Sequence, residues 1–433
     1  MRSSGFRSFC VALLFVSLFV GRGVAADPPA RAVGTAKTPD EIAREKRRKE
    51  LENESIVAYY ARSLSGGTTA AEADAAAVDI IINAHKGAEK AVLEKHRDSF
   101  NAAMKRAAHV RYVIAALKMS PGKYETVDAM PEEVKKVLGK PIAEFITLKT
   151  VDLGDAALNV KQKRQSDPFD KEFYEHLGEI PELESLVIIH TNCENDWLKP
   201  LGKLKKLKTL NIVNQGKLTD EGLAHLAGLN QLERFAYIGT QLKGHPFKDF
   251  AGWTKLKSSS FRGSKLDDVG LEAMCKAFPN YETLSLAHAH FTDAGSVHLA
   301  SLTKLKGLEI ASREATAKCL NNITALPLEY LQLGDGLDNS EGIAISAGIK
   351  TLKKFVITGA QKITDEDLKV VATMKQLEHL ELSEFEITEE RLPALKEFAF
   401  LKSMRIVRRS KPNTPELQAK VKELLPGTTV TFE

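Results

Sequence analysis

The chain has 433 residues, of which 43% are apolar and 27% charged, with a formal net charge of +4 at neutral pH. This is ordinary for a globular protein, and the length suits two domains or one solenoid. Charge so close to balance gives no electrostatic drive toward nucleic acid.

In chain order, Arg2 and Arg7 precede the apolar run "CVALLFVSLFV" (residues 10–20), and Val24, Ala25 and Ala26 supply the small residues of a cleavage site. Residues 1–26 read as a secretory signal peptide. The apolar run is too short to span a bilayer comfortably, and no later segment reaches spanning length. The expected location is therefore exported: periplasmic, cell-surface or extracellular. Cleavage removes Arg2, Arg7 and Arg22 and no acid, so the formal net charge falls from +4 to +1. Cys193, Cys275 and Cys319 remain, an odd number that leaves at least one thiol unpaired within the chain. Their places in separate turns of the repeat described below predict three buried thiols and no disulfide.

Residues 27–37 form a Pro-containing linker. "TPDE" at Thr38–Glu41 then reads as a helix start, with Thr38 as N-cap and Pro39 in the first helical position, and the helix is expected to run to about Leu64. From Leu93 a heptad stripe continues through His96, Phe100, Ala103, Ala107, Val110, Ile114 and Leu117, with the Ala-rich segment 70–84 as its packing partner. The expectation is an all-α helical domain over 38–140, with self-association through these helices as the alternative.

The unit apolar-x-x-apolar-x-apolar starts at Leu183, Leu207, Leu232, Leu256, Tyr281, Leu305, Leu328, Leu352, Leu377 and Leu401, in steps of 23 to 25 residues. Within each unit the period-two run is a strand, with Leu210 and Ile212 turned inward and Thr209 and Asn211 outward. A capped turn and a short helix follow, as in "LTDEGLAHLAGL" and "ITDEDLKVVATM", with Thr219 or Asp220, Asp268, Asp293 and Asp365 placed as cap acceptors. No unit buries its apolar face alone, so the units must stack.

"LKTLNI", "YETLSL", "LEYLQL" and "LEHLEL" resemble the leucine-rich repeat family, and the "TDxGL" turn is similar to its cysteine-containing subfamily and that subfamily's secreted bacterial relatives. The resemblance implies an α/β solenoid over 145–433 with about ten repeats, a concave parallel sheet and short convex helices. It departs at the position eight residues after the first apolar residue, where Asn or Cys is usual. Here stand Thr191, Gln215, Thr240, Ser264, Ala289, Arg313, Gly336, Ala360, Phe385 and Arg409. Turns six and seven lack a good "TD" cap and are expected to carry irregular helices.

The residue after each first apolar position alternates without exception: Glu184, Lys208, Glu233, Lys257, Glu282, Lys306, Glu329, Lys353, Glu378, Lys402. Equivalent residues on neighbouring parallel strands lie about 4.8 Å apart, so a uniform sign would stack like charges. Alternation makes a ladder of opposite charges that sets register. "WTKLK" and "LTKLK" recur 49 residues apart, so the period is a pair of turns.

No catalytic, phosphate-binding, haem or paired-Cys motif is present, and His288 and His290 lack a third donor for a metal site. Neither a catalytic residue nor a cofactor or metal ligand is assigned. The basic end (Lys402, Arg405, Arg408, Arg409, Lys411) reads as a solvated edge, or alternatively as a patch for an acidic partner.

The family's ligand surface is the concave sheet. Its outward residues are small or neutral in the first turns, whereas later turns offer Glu309, Tyr330, Gln332, Lys354, His379, Glu381 and Arg405, the mixed aromatic and charged character that contact surfaces use. The expected function is an exported, non-catalytic binding or scaffold protein that recognises a protein or other macromolecule through that face. The alternative is an enzyme, or enzyme subunit, acting through the N-terminal helical region.

Overall fold

A strand of five residues followed by a turn and one or two helical turns is too small to enclose a core, and stacking such units is the way to close it. The computed structural model describes residues 70–120, 122–155 and 169–433. The leader, the linker and the helix expected at 38–64 lie outside these residues.

The described residues open with three helices, α1 (Ala70–Asn83), α2 (Gly87–Lys95) and α3 (Arg97–Lys118), then strand β1 (Lys123–Asp128), helix α4 (Glu132–Leu138) and strand β2 (Ile146–Asp155). Helix α5 (Lys171–Leu177) and strands β3 (Ser185–Ile189) and β4 (Thr209–Val213) open the regular solenoid. It continues through α6 (Asp220–Ala224), β5 (Arg234–Ile238), β6 (Ser258–Ser260), α7 (Asp268–Ala277), β7 (Thr283–Ala289), α8 (Asp293–Ser296), β8 (Gly307–Ser312) and β9 (Tyr330–Leu333). The last turns are α9 (Ser340–Ser346), β10 (Lys354–Ile357), α10 (Asp365–Ala372), β11 (His379–Ser383), α11 (Leu392–Lys396), β12 (Ser403–Val407), α12 (Pro415–Leu424) and β13 (Thr429–Phe432). The thirteen strands form one sheet in chain order. Among the described residues β1–β2 is antiparallel, and every later pair is parallel.

Strands about 4.8 Å apart sit opposite helices that need about 8–10 Å, so the sheet takes the inner, concave side of the solenoid. The leucine-rich repeat architecture is thus built as the periodicity requires, and the inward residues of every turn, such as Leu210, Ile212, Leu308 and Ile310, are buried.

Three features depart from expectation. First, the helical region is not all-α, since β1 carries residues 123–128 into the sheet. Its helices divide between two cores. Phe100, Ala103 and Met104 of α3 pack in a small cluster with α1, α2 and α4, whereas Val110, Tyr112, Val113, Ala116 and Leu117 of the same helix join the solenoid core. Second, an additional turn precedes the ten. Thr150 pairs with Ser185, so Leu148, Val151 and Leu153 take the apolar positions and Lys149 precedes Glu184 in the alternating row. Third, turn six is one residue short. The pairing shifts to set Ser312, not Arg313, beside Ala289, and the buried Ser312 hydroxyl donates to Phe291 O at 2.5 Å. Asn413 closes a late turn in the same way, accepting from Ile387 N at 2.9 Å and donating to Phe385 O at 3.0 Å. Turn six carries only a 3-10 segment, Ala317–Ile323, although Thr316 does cap it by accepting from Lys318 N, whereas turn seven, against expectation, forms the regular α9 because Asn339 accepts from Gly342 N.

The two halves of the "TD" motif do different jobs. Thr219, Thr292 and Thr364 cap their own helices. The following Asp reaches the next turn: Asp220 accepts from Lys243 N at 2.8 Å, Asp268 from Thr292 N and Oγ1 at 2.7 Å each, and Asp293 from Thr316 N at 2.8 Å. In turn four Asp267 is the cap, and Asp268 makes the link.

The alternating row also carries backbone bonds. Glu282 O accepts from both Lys306 N (2.9 Å) and Gly307 N (3.0 Å), and the same bifurcation repeats from Glu184 to Glu378. Its side chains pair as Lys208–Glu184 (2.9 Å), Lys257–Glu282 (3.0 Å), Lys353–Glu329 (3.3 Å) and Lys402–Glu378 (2.5 Å). Cys193, Cys275 and Cys319 are buried and are not joined to one another by a disulfide, and burial pushes the thiols of Cys275 and Cys319 up to about 12.

Candidate functional site

Each strand offers three outward positions, two, four and six residues after the first apolar residue of its turn. In the first turns these hold Ser185, Val187, Thr209, Asn211, Val213, Ser258 and Ser260, with Arg234 as the charged exception. From β6 onward the face becomes charged, and its side chains bind one another.

Arg262, two residues past the end of β6, ion-pairs with Glu309 on β8, two strands away. A span of about 9.6 Å is possible because the strand between presents only Ser285 and Ala287. Ser285 Oγ donates to the second Glu309 oxygen, and Gln332 Nε2 donates to the first at 3.0 Å. Tyr330 OH donates to Gln332 Oε1 at 2.7 Å, and Lys354 Nζ lies 5.5 Å from the centroid of the Tyr330 ring. Four of the seven residues expected at the site, Glu309, Tyr330, Gln332 and Lys354, thus form one chain of contacts. The other three stand further along. Arg405 Nη1 bonds Glu381 at 2.9 Å and the other guanidinium arm meets Glu433, while His379 Nδ1 lies 2.7 Å from Ser403 Oγ. Lys354 and His379 are register neighbours, so the two groups meet along one outward column.

The position seven residues after the first apolar residue is left-handed in most turns: His190, Asn214, Gly239, Gly263, His288, Asp335 and Glu384 all have φ between 50° and 68°. Glycine takes this conformation freely, whereas other residues pay on the order of 1 kcal/mol or more. His288 and Asp335 use it to bridge two turns, with Nδ1 and Oδ2 2.5 Å apart. Arg262 Nη2 lies 3.4 Å from His288 Nε2, which assigns that nitrogen as acceptor and Nδ1 as the protonated donor to Asp335. Burial raises the Asp335 carboxyl, but the bond from His288 and the positive charges of Arg313 and Arg262 outweigh it and leave the group below its ordinary value. His379 is lowered by burial and by Lys354 and Lys402, against the pull of Glu378.

Sequence reasoning missed Arg262 and Asp335, although both fall at fixed offsets, six and seven, from Leu256 and Leu328. The basic end is matched by acids: Arg408 bonds Glu386 at 2.9 Å, and Arg405 and Arg409 share Glu433. A cavity of about 420 Å³ lies beside it, lined by Gln361, Glu384, Glu386, Thr388, Arg391, Arg408 and Ser410. Among the described residues no group of three or more His, Cys, Asp or Glu is placed to hold a metal ion, and no helix is long and apolar enough to cross a membrane. The network offers fixed donors, acceptors and one aromatic ring, groups that can meet a complementary polar surface.

No family model and no curated protein matches the chain. Among solved structures, an internalin from Listeria monocytogenes strain 4b F2365 matches at 16% identity over 64% of this chain and 93% of that chain, with a TM-score of 0.32.

Proposed function

We propose that this is an exported, non-catalytic binding or scaffold protein that recognises a protein partner through the outward columns of β8–β12. One observation carries the reading: the charged and aromatic side chains there are tied to one another across turns in the free protein. Glu309 alone engages Arg262, Ser285 and Gln332. A face ordered in advance loses less conformational entropy on association, and Tyr and Arg are the side chains that contact hot spots favour. Glu309 and Glu381 are mostly covered, with side chains 12% and 17% exposed, so they position their neighbours. Tyr330, Lys354 and His379 are half-buried and keep surface to offer. Export rests on the leader-like residues 1–26.

The test is affinity capture from an envelope extract with the mature chain, a Tyr330→Ala/Glu381→Ala variant and a Lys276→Ala control on the convex side. The reading expects a protein retained by wild type and control and lost by the double variant, with all three melting together. Equal capture by all three removes this face as the site.

A further inference from the structure

We propose that the edge of the solenoid where the strands begin binds a linear anionic polysaccharide along a row of lysines. The row lies in the two residues that precede the first apolar residue of each turn, just outside the alternating charges. From turn two, at Leu207, to turn ten, at Leu401, these eighteen positions hold Lys205, Lys206, Lys255, Lys304, Lys350 and Lys375, and no Asp or Glu. All six lysines are exposed. With the alternating residues from Lys208 to Lys402, this edge carries eleven lysines against four acids, although the whole chain is close to balance.

In the alternating row, lysine charge is cancelled. Lys208 reaches one turn back to Glu184 at 2.9 Å, and Glu282, Glu329 and Glu378 are held by Lys257, Lys353 and Lys402. The outer row uses the same one-turn reach with an uncharged acceptor at its end: Lys255 Nζ donates to Gln231 Oε1 at 2.5 Å and Lys304 Nζ to Asn280 Oδ1 at 2.7 Å. Lys205 and Lys350 donate to the carbonyl oxygens of Gly228 and Ala347, each at 3.0 Å, and Lys375 Nζ lies 4.3 Å from the centroid of the Phe400 ring. An amide, a carbonyl or a ring fixes an ammonium in place and leaves its charge intact, whereas a glutamate at 231 or 280 would cancel it. On the opposite edge, where the strands end, cations face acids, as Lys217 faces Glu194 and Arg408 faces Glu386. Positive charge is thus concentrated on one edge.

Spacing selects the ligand. Lys206, Lys255, Lys304 and Lys350 belong to turns two, four, six and eight, so successive cations stand two strands or about 9.6 Å apart, in a file about 30 Å long. Such a file meets a thread of repeating negative groups. Lysine is a point charge with rotatable donors and makes little demand on anion geometry, so carboxylate and sulfate groups both suit it. Binders of single-stranded nucleic acid add aromatic stacking platforms, and membrane-surface binders add exposed apolar side chains. The file offers neither: the Phe400 ring carries Lys375, and the large apolar side chains most exposed among the described residues, Ile80, Val127, Val269 and Val297, lie outside it. A polyanion held this way releases its counterions, so its binding weakens steeply with salt.

Calorimetric titration of the full mature chain with dextran sulfate tests the row, with uncharged dextran as the blank. Wild type should bind dextran sulfate at about 0.15 M salt and lose it as salt rises. Lys206→Gln/Lys255→Gln/Lys304→Gln should weaken binding about tenfold or more. Lys248→Gln/Lys276→Gln/Lys318→Gln, which removes the same charge from the convex side, should stay within about twofold. Gln231→Glu/Asn280→Glu keeps every lysine but neutralises two, and should weaken binding about threefold or more. Tyr330→Ala/Glu381→Ala should bind the polysaccharide as wild type does, so this proposal and the concave site fail separately. No binding by wild type, or equal weakening by the row and convex variants, overturns the proposal. Tighter binding, dependent on the row, to vesicles of phosphatidylglycerol and phosphatidylcholine at about 1:3 or to double-stranded DNA would also overturn it, by making a membrane or a nucleic acid the partner.

Discussion

In the helical region ten buried residues, drawn from α1–α4 and the segment entering β2, make one small cluster around Phe100 and Phe145, whose rings meet edge-to-face at 5.2 Å. In the solenoid the same few positions repeat, and one core runs from Val110 to Val430. The small core has no repeating unit, and it shares α3 with its neighbour. The large core is a chain of similar interfaces, so damage in one turn is felt mainly by the turns beside it.

The sharpest way to break this comparison is one large deletion in each core. Phe→Ala at a fully buried site costs about 3–5 kcal/mol. Phe100→Ala should exceed what the small cluster contributes, so that α1, α2 and α4 lose exchange protection while β4–β12 keep theirs. Phe247→Ala, within the aromatic cluster of Phe250, Phe261 and Phe278, should lower the main thermal transition and leave those helices protected below it. If both variants shift a single transition equally, the two cores are one cooperative unit.

A smaller effect separates the ways in which turns are joined. Asp268→Ala strips the acceptor from both Thr292 N and Thr292 Oγ1 and should cost about 2 kcal/mol, because a partly buried donor is left unmet. Thr364→Ala removes a cap within a single turn, where the capping box with Asp367 is lost, and should cost about 1 kcal/mol. Denaturant titrations give both values, and a larger loss from the Thr364 variant would reverse the importance assigned to links between turns.

Ten turns, the inward positions, the three buried cysteines and the alternating row were legible because each depends on a period that the sequence displays directly. The turn at Leu148 was not, because the step to Leu183 is 35 residues and breaks the spacing. The place of Ser312 was hidden by the short turn six, since counting from Leu305 lands one residue too far. At the candidate site, outward orientation could be read from strand parity alone, but the pairing could not. Arg262 meets Glu309, and His288 meets Asp335, across two turns, and which side chains can cross depends on how small the residues between them are.

The smallest expected effect concerns the charged row. Lys306→Glu sets three acids side by side at 282, 306 and 329, yet these groups are largely solvated, so the loss should stay below about 1 kcal/mol and shrink in high salt. Thermal melts at two ionic strengths check this, and a loss that is large and indifferent to salt would mean that the lysine stem packs as part of the core.

With Lys149 the row counts eleven residues, and its sign depends only on whether a turn is odd or even. That parity restricts how such a chain can change length. Gaining or losing a single turn brings two like charges together at the junction, whereas a block such as the 49 residues from Trp253 to Ser301 moves in or out with the alternation intact. A single turn is the unit of the fold, but a pair of turns is the unit that keeps the charges alternating.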